Sequence, residues 1–281
     1  MKNFLIVARS FSDLHEEYIG IITDYIKSTG GMCILDLATC PDSSEAEVTV
    51  DDNIECIITV GGDGTVVRVA QNVTNRKIPI VGLNCGHLGY LCDMTVDNVI
   101  HCLDQLLSDN YKIDERMMLE GECSSDSNNK FRALNDIVVA SEAAGLYVLN
   151  LTVKVNGIQL YCHNCDGLIV STPTGSTAYN LSANGPIVSP HADCIILTPI
   201  NPHTLNSRSI ILSSNDEVEV SISARHEEDN AKANVIYDGT LRQVLLNEDT
   251  LKIYRSKTTS HMVMLENVNF LERIRARMQE I

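Results

Sequence analysis

The chain has 281 residues, of which 44% are hydrophobic and 21% charged, a composition typical of a folded globular protein rather than a disordered one. Its formal net charge of −16 at pH 7 argues against nucleic acid or an anionic membrane as the main partner, because both repel an acidic surface. An acidic protein can still bind a phosphorylated ligand through backbone N–H groups, a few local cations or a bound metal.

The first apolar stretch and the cysteines bear on where the protein works. An unbroken run of only five apolar residues precedes Arg9, fewer than the about 7–15 of a signal-peptide core, and no apolar run approaches the about 18 residues of a membrane span. We therefore expect a cytoplasmic protein whose ten cysteines are reduced thiols. Cys162 and Cys165 form a C-x-x-C motif, but no second pair follows at zinc-site spacing. The pair also lies in a strand-like stretch, which favours packing thiols over a metal or redox site.

The first hundred residues alternate between strand-like and helix-like patterns. From Asp13 onward, apolar side chains recur at i+3/i+4 spacing until Gly30-Gly31, which predicts an amphipathic helix and its stop. The predicted strands are NFLIVAR, MCILDL, IECIITV and IPIVGLN, and the further predicted helices are TVVRVAQNV and VDNVIHCLDQLLS. Strands that alternate with helices predict an α/β domain with a parallel, Rossmann-like sheet.

From about residue 110 the pattern changes to short β-type runs separated by turn residues. LTVKV and VEVSIS alternate apolar and polar residues with a period of two, and VNG and YDG are turn signals. The runs are MMLEGECSS, KFRALNDIVVAS, YVLNLTVKVNG, DGLIVSTP, CIILTPI, SIILSS, EVEVSISAR, NVIYDG and LKIYRS. Such spacing predicts a mainly β, sandwich-like second domain.

The end of the chain returns to a helical pattern. LENVNFLERIRARMQEI places six apolar side chains on one helical face: Leu265, Val268, Leu271, Ile274, Met278 and Ile281. We expect this helix to pack back on the α/β domain. The predicted domains are therefore 1–109 with 262–281, and 110–261.

A glycine-rich turn, Gly61-Gly62-Asp63-Gly64-Thr65, lies where a strand is predicted to end and a helix to begin. Here backbone N–H groups and the helix dipole favour an anion, and glycines let a phosphate approach closely. The turn lacks the Gly-Lys-Ser/Thr of a Walker A loop, and it lacks the third glycine of the dinucleotide fingerprint. The pattern predicts a phosphate cradle of another kind.

The carboxylate of Asp63 is unexpected in such a cradle, because it repels a phosphate. It fits if Asp63 contacts a hydroxyl beside a phosphate, as the carboxylate that orients and deprotonates the attacking hydroxyl in phosphoryl transfer. The alternative is that Asp63 caps the helix or shapes the turn. Arg68 either adds a cation near the phosphates or lies on a solvated helix face, and the sequence favours neither.

A second segment, DGLIVSTPTGSTAYNLSANGPIV at residues 166–188, starts as a strand and continues as a polar stretch around Pro173 and Gly175. Its short hydroxyl side chains are Ser171, Thr172, Thr174, Ser176 and Thr177. They predict a rigid loop with many hydrogen-bonding groups, and Tyr179 supplies a face on which a base can stack. The alternative is a polar loop between strands.

Together, GGDGT, Asn135-Asp136 and DGLIVSTPTGSTAYNLSANGPI resemble the NAD kinase family. The supporting stretches VGLNCGHLGYL, ERMMLE, ILTPINPHTLNSRSIIL and FLERIRARM extend the resemblance from about residue 54 to the end. The combination is specific, whereas GGDGT alone is shared with diacylglycerol and sphingosine kinases and, in shorter form, with phosphofructokinases.

The resemblance implies ATP-dependent phosphorylation of the 2′-hydroxyl of the adenosine ribose of NAD, giving NADP, and the sequence leaves polyphosphate open as an alternative donor. It implies Mg²⁺ or another divalent metal held through the ATP phosphates, with no protein ligand assigned. It also implies an α/β domain, a β-rich NAD-binding domain and a site between them. Finally, it implies a homodimer or homotetramer whose sites can include residues of a neighbouring subunit. We expect neither nucleic acid nor a membrane as a partner, because the net charge argues against both.

Carried over position by position, the resemblance assigns roles to residues. Asp63 is the proton acceptor for the 2′-hydroxyl, and Asn135 and Asp136 hold ribose hydroxyls. Asp166 and Thr174 contact the nicotinamide side or the neighbouring subunit's adenine. The residues that meet the ATP phosphates are Gly61, Gly62, Gly64 and Thr65. The predicted NAD-binding residues are Asp63, Gly64, Arg68, Tyr90, Asn135, Asp136, Asn164, Asp166, Thr174, Thr177, Ala178, Tyr179, Asn180, Leu181 and Ser182.

Three positions depart from the family pattern, and two other functions stay open. Asn164 replaces an Arg common in bacterial relatives, which leaves the preference for NAD over NADH open. Asn184-Gly185 replaces the usual Gly-Gly, and Asp238 in YDG lies where relatives often carry a ligand-contacting or turn residue. A lipid kinase would share GGDGT but needs a membrane-facing apolar or basic surface. A non-catalytic NAD(P)-binding regulator is disfavoured by the intact Asp63.

Overall fold

The computed structural model describes residues 1–8, 13–36, 50–73, 77–86, 89–141, 149–204, 206–223, 231–247, 249–265 and 270–279. They form two compact units, residues 1–116 with 259–281, and residues 117–258. Within the described residues, no helix is long and apolar enough to cross a membrane.

The first unit is built around one sheet of seven strands. These are β1 (Asn3–Ala8), β2 (Met32–Asp36), β3 (Cys56–Gly61), β4 (Ile80–Asn84), β5 (Met94–Thr95), β6 (Lys112–Arg116) and β19 (Ser260–Met264). Their order is β2-β1-β3-β4-β19-β6, with β5 beside β4, and all pairs are parallel except β6 with β19. The carboxyl ends of the central parallel strands share one edge, which is where such sheets hold their ligands.

Helices cover both faces of this sheet. They are α1 (Asp13–Ser28), α2 (Asp63–Val73) and α3 (Val99–Leu107). The short helix α4 (Tyr179–Ser182) belongs to the second unit, and α5 (Phe270–Gln279) belongs to the first. Helices α1 and α3 bury apolar side chains such as Ile22 and Leu103 in one cluster with Val81 and Leu83 of β4. The side chain of Val66 on α2 approaches Gly82, where an added Cβ would lie 2.8 Å from it. Since successive strand residues point to opposite faces, α2 lies on the other side of the sheet.

The prediction for the C-terminal helix is partly wrong. Within the described residues, helix α5 spans Phe270–Gln279, and two of the six expected face residues, Leu271 and Met278, are 70% and 66% exposed. Leu265 is buried but precedes the helix, and Val268 and Ile281 lie outside the described residues. The helix belongs to the first unit, as expected. An arginine, described below, makes the polar contacts that join it to that unit.

The second unit is a sandwich of two antiparallel six-stranded sheets. Its strands are β7 (Leu119–Cys123), β8 (Asp126–Ala133), β9 (Asp136–Ser141), β10 (Leu149–Val155), β11 (Ile158–Cys165), β12 (Gly167–Ser171), β13 (Cys194–Ile200), β14 (Ile210–Ser213), β15 (Val218–Ser223), β16 (Lys232–Tyr237), β17 (Thr240–Leu246) and β18 (Thr250–Arg255). The sheet orders are β11-β10-β15-β18-β7-β8 and β14-β13-β12-β9-β16-β17. The inward side chains of both sheets form one apolar core.

Two features of the sandwich determine where Asn135 and Asp238 lie. The run KFRALNDIVVAS, expected as one β-type run, is divided between β8 and β9, which belong to different sheets. Asn135 therefore lies where the chain crosses from one sheet to the other. The predicted turns VNG and YDG are confirmed as two-residue hairpin loops, with positive φ at Asn156-Gly157 and at Asp238-Gly239.

Candidate functional site

The glycine turn lies at the carboxyl end of β3, and α2 begins at Asp63. Gly61 has a φ of 155°, and a Cβ there would lie 2.5 Å from the buried hydroxyl of Thr65, so the turn requires this glycine. At Gly62 and Gly64, by contrast, a Cβ would meet no atom of the described residues within 4 Å. Packing within the described residues does not require these two glycines, and the space beside them is open.

The carboxylate of Asp63 is held by a second segment of the first unit. The backbone N–H of Tyr90 donates to Oδ2 at 2.6 Å and that of Leu91 to Oδ1 at 3.1 Å. The thiol of Cys92 also donates to this carboxylate, and burial, followed by the charge of Asp63, raises the pKa of the thiol well above its usual range. A Cβ on Gly89 would lie only 2.0 Å from Oδ1 of Asp63. The carboxylate is therefore fixed by contacts within the protein and does not act as a helix cap alone.

The first unit contains two other predicted site residues, Arg68 and Tyr90. Arg68 is half-buried on α2, five positions after Asp63. Tyr90 is partly exposed, and its backbone N–H is one of the donors to Asp63.

In the second unit, the dipeptide Asn135-Asp136 is held by Asp238. Its carboxylate accepts hydrogen bonds from three consecutive backbone N–H groups, those of Leu134 and Asn135 at 2.7 Å and that of Asp136 at 3.0 Å. The N–H of Asp238 donates back to the carbonyl of Asp136 at 3.0 Å. This reciprocal clamp joins the start of β9 to the β16–β17 turn.

Asp136 as a residue is 4% exposed, and its carboxyl group lies near the carboxylate of Asp238. Burial, and then the charge of Asp238, raises the pKa of Asp136 to about 8. A carboxyl group with such a pKa changes its charge near neutral pH, and perturbed groups of this kind are concentrated at functional sites.

The polar loop after β12 packs against the same dipeptide. The N–H of Thr172 donates to the carbonyl of Asn135 at 2.8 Å, and its hydroxyl donates to the carbonyl of Leu134 at 2.6 Å. The hydroxyl of Ser171 also donates to the carbonyl of Asn135, at 3.2 Å. A Cβ on Gly175 would lie 2.1 Å from that carbonyl oxygen. The structure thus brings the two predicted segments of the second unit together.

Within this loop the predicted residues divide into framework and surface. Asn180 is fully buried: its amide donates to the carbonyls of Ser176 and Pro186, and its oxygen accepts from Thr198. Its side chain is therefore committed to holding the loop. Thr174 is also buried, whereas Thr177 and Ala178 are half-buried. Tyr179, Leu181 and Ser182 are exposed.

Asn164 and Asp166 lie away from Asp136. Strand β12 pairs with β9 so that Ser171 is opposite Asp136, whereas Gly167 is opposite Ala140. Asp166 therefore lies beyond the far end of β12, roughly 16 Å along the strand from Asp136. Its carboxylate accepts a hydrogen bond from the side chain of Asn201 at 2.9 Å. The structure brings Asn135, Asp136 and the 171–182 loop together, and it separates them from Asn164 and Asp166.

The sequence interpretation missed the residues that hold these groups. Cys92 and the amides of Tyr90 and Leu91 reach Asp63 from 27 to 29 positions away, and no local pattern predicts that contact. Asp238 had a signal, since an Asp-Gly turn at the end of a strand places a carboxylate at a sheet edge. That signal predicted a turn but not what the carboxylate binds.

A family model described as the ATP-NAD kinase N-terminal domain matches residues 29–111, and one described as the C-terminal domain matches residues 134–265. A curated protein of Agathobacter rectalis named NAD kinase is 38% identical over 281 residues, which is 99% of this chain and 99% of that protein. One of Moorella thermoacetica with the same name is 38% identical over 242 residues, 86% of this chain and 76% of that protein.

Two solved structures share the fold. A crystal structure of an NAD kinase from Archaeoglobus fulgidus in complex with ATP has a TM-score of 0.77 and 26% identity, and the match covers 98% of this chain and 99% of that one. The yeast NADH kinase complexed with NADH has a TM-score of 0.87 at 22% identity, with coverage of 100% and 88%. The second likeness is one of fold.

Proposed function

This chain belongs to the ATP-NAD kinase family, and we propose that it transfers the terminal phosphoryl group of ATP to the 2′-hydroxyl of the adenosine ribose of NAD. The observation that carries this proposal is the carboxylate of Asp63, fixed by two backbone amides beside a turn whose Gly62 and Gly64 leave room for phosphates. A carboxylate in that position suits an attacking hydroxyl rather than a phosphate.

In the proposed reaction, the proton of the 2′-hydroxyl moves to the carboxylate of Asp63 while the oxygen attacks the γ-phosphorus. The bond from that phosphorus to the bridging oxygen breaks, and ADP leaves with the electron pair. An ionised carboxylate offers about four acceptor positions, so Asp63 can accept the hydroxyl in addition to its bonds with the protein. Backbone N–H groups of the turn and the start of α2 stabilise the phosphates.

Mg²⁺ or another divalent ion enters as part of the ATP substrate and neutralises phosphate charge. Among the described residues, no group of three or more His, Cys, Asp or Glu side chains is arranged to hold such an ion. A metal held mainly by substrate phosphates and water fits the preferences of Mg²⁺.

For NAD, we propose that Asp136 and Asn135 hold a ribose diol and that the exposed ring of Tyr179 stacks on a base. A diol offers two O–H donors, one for a carboxylate and one for an amide oxygen. Stacking of a base on an exposed aromatic ring stabilises the complex. The separate position of Asp166 supports a role toward another part of the dinucleotide or toward a neighbouring subunit's ligand.

We also propose a cytoplasmic homodimer or homotetramer. The nine cysteines of the described residues are free thiols, which suits a reducing compartment. On the outer face of β17, the side chains of Leu241, Val244 and Leu246 are 42% to 50% exposed, and such apolar patches mark contact surfaces.

The test is an assay of the purified chain with Mg²⁺-ATP and NAD, read out as NADP formed through an NADP-specific dehydrogenase. We expect NADP at a rate that depends on both substrates. Parallel reactions replace NAD with NADH, sphingosine or diacylglycerol, and ATP with polyphosphate. Phosphorylation of a lipid with no NADP formed would overturn the proposal, and binding of NAD without turnover would assign a regulator instead.

The raised pKa of Asp136 gives a prediction for NAD binding. If the ionised carboxylate accepts the ribose hydroxyls, the dissociation constant of NAD is expected to fall about tenfold between pH 7 and pH 9, as Asp136 ionises through its pKa of about 8. Isothermal titration calorimetry at several pH values measures this. In Asp136→Asn the dependence is expected to disappear, and a wild-type affinity that is flat over this range would contradict the role.

The raised pKa of Asp136 also predicts how the free energy of unfolding depends on pH, and this dependence tests the pKa in the absence of NAD. Between about pH 4, where an unfolded Asp ionises, and pH 8, the folded chain keeps a proton on Asp136 that the unfolded chain has lost. The contribution of this group to the free energy of unfolding therefore decreases as pH rises through that window. Urea unfolding of the ligand-free protein is expected to show a smaller decrease for Asp136→Asn than for the wild type.

A further inference from the structure

The guanidinium of Arg273, on α5, contacts the segment that holds Asp63. Its Nη1 donates to the carbonyl of Tyr90 at 3.2 Å and to the carbonyl of Cys92 at 2.9 Å. Its Nη2 forms an ion pair with the carboxylate of Asp93, and both side chains are largely buried. One side chain from the end of the chain thus binds three acceptors in four consecutive residues.

The peptide group between Tyr90 and Leu91 connects Arg273 to Asp63. Its carbonyl accepts from Arg273, while its N–H donates to Oδ1 of Asp63. A trans peptide points these two groups in opposite directions, so a cation stands at one end of the peptide dipole and a carboxylate at the other. Hydrogen bonds in such a chain polarise one another, so the cation strengthens the donor that faces Asp63.

The backbone of this segment packs closely against the side chain of Asp63. A Cβ on Gly89 would overlap the Asp63 carboxylate, so the backbone lies against that side chain. Asp93 also accepts from the backbone N–H of Leu265, at 3.0 Å, just after β19. Hydrogen bonds therefore hold the 90–93 segment to α5 and to the residue that follows β19. If this segment rotated, it would displace the carboxylate of Asp63.

We propose that Arg273 is a positioning residue for phosphoryl transfer: it orients and polarises the Tyr90–Leu91 peptide, and through that peptide it holds the carboxylate of Asp63 at the attacking hydroxyl. This inference rests on the proposed role of Asp63. It gives α5 a function in the reaction, although the apolar residues Leu271 and Met278 on that helix remain largely exposed.

The test compares Arg273→Ala, Arg273→Lys and, as the matched control, Arg275→Ala, which changes an exposed arginine on the same helix. For Arg273→Ala we expect kcat to fall about 100-fold, the effect of a displacement of about 1 Å, while KM for NAD and ATP stays within about threefold. Arg273→Lys is expected to recover part of the loss, because an ammonium group keeps the charge but not the planar fork. Arg275→Ala is expected to match the wild type.

Two further measurements separate positioning from stability. The double variant Arg273→Ala/Asp93→Asn removes the unpaired buried charge of the single variant, so a purely structural defect would be relieved; we expect kcat to stay low. Amide hydrogen exchange at Tyr90 and Leu91 is expected to accelerate in Arg273→Ala and not in Arg275→Ala.

Arg273→Ala with a kcat within threefold of Arg275→Ala would overturn the proposal, as would recovery of kcat in the double variant. A wild-type protein that forms no NADP would overturn the proposed function instead. The exchange rates at Tyr90 and Leu91 would still report whether Arg273 holds the segment.

Discussion

Replacing Asp63 with asparagine is expected to lower kcat for NADP formation by about 10³-fold or more, with the dissociation constants of NAD and ATP changed by less than about fivefold. A positioned general base contributes roughly 10²–10⁴-fold to a rate, and an amide cannot take the hydroxyl proton. Asparagine has nearly the shape of aspartate, so it fits against Gly89, and its oxygen still accepts from one of the two backbone N–H groups that bind Asp63. The loss therefore concerns the proton and not the space.

Steady-state kinetics with calorimetric binding of each substrate separates these effects. Asp24→Asn is the matched control, because it makes the same chemical change at an exposed position on α1 and is expected to leave kcat unchanged. A melting temperature within a few degrees of the wild type excludes unfolding as the cause. Turnover of Asp63→Asn within tenfold of the wild type would show that another group takes the proton.

Much of the fold follows from local sequence patterns. Short apolar runs bounded by turn residues predict β1, β3 and β4, because strands buried on both faces have no polar alternation. The turns at Asn156-Gly157 and Asp238-Gly239 follow from the need for positive φ at both central residues. In such cases one short segment contains the whole physical reason for its conformation.

Other parts of the fold depend on partners that are distant in the sequence. Strand β19 pairs with β4 and β6, about 180 and 150 positions away, and nothing in SHMVM itself distinguishes a strand of the first sheet from one of the second. The division of KFRALNDIVVAS between two sheets is also set by partners, since β8 pairs with β7 and β9 with β12 and β16. At the C-terminus, the helical periodicity predicted that an apolar face would attach the last helix to the first unit. In the structure, an arginine of that helix makes polar contacts with the unit instead.

The candidate site shows the same division. The glycine turn and the hydroxyl-rich loop can be recognised in the sequence. Clusters of glycines or of hydroxyl side chains destabilise a fold unless a backbone conformation or a ligand requires them. The groups that orient them cannot be recognised in this way. The amides that hold Asp63 could belong to any loop, and Arg273 lies in a helix that looks ordinary in the sequence. The sequence thus predicts candidate reacting groups from local patterns, whereas the groups that hold them come from distant segments and have no local pattern.

Replacing Asp238 with alanine is expected to weaken NAD binding at least tenfold and to lower the free energy of unfolding by about 3 kcal/mol or more. Its carboxylate is the acceptor for three backbone N–H groups, and a hydrogen bond to a charged group contributes about 1.5–3 kcal/mol. Alanine also tolerates the positive φ of 46° at this position poorly. Without the clamp, the Asn135-Asp136 dipeptide loses the contacts that set its orientation at the start of β9.

Asn156→Ala is the control for turn strain, because Asn156 has nearly the same φ, 51°, in the equivalent two-residue hairpin of β10 and β11. Both variants are expected to lose stability in urea unfolding, but only Asp238→Ala is expected to lose NAD affinity. The binding comparison belongs at pH 9. There Asp136 is ionised with or without the neighbouring charge that helps to raise its pKa, so a difference in affinity reports position and not protonation. Equal affinities of the two variants at pH 9 would show that Asp238 stabilises the sandwich without orienting the residues proposed to hold the ribose.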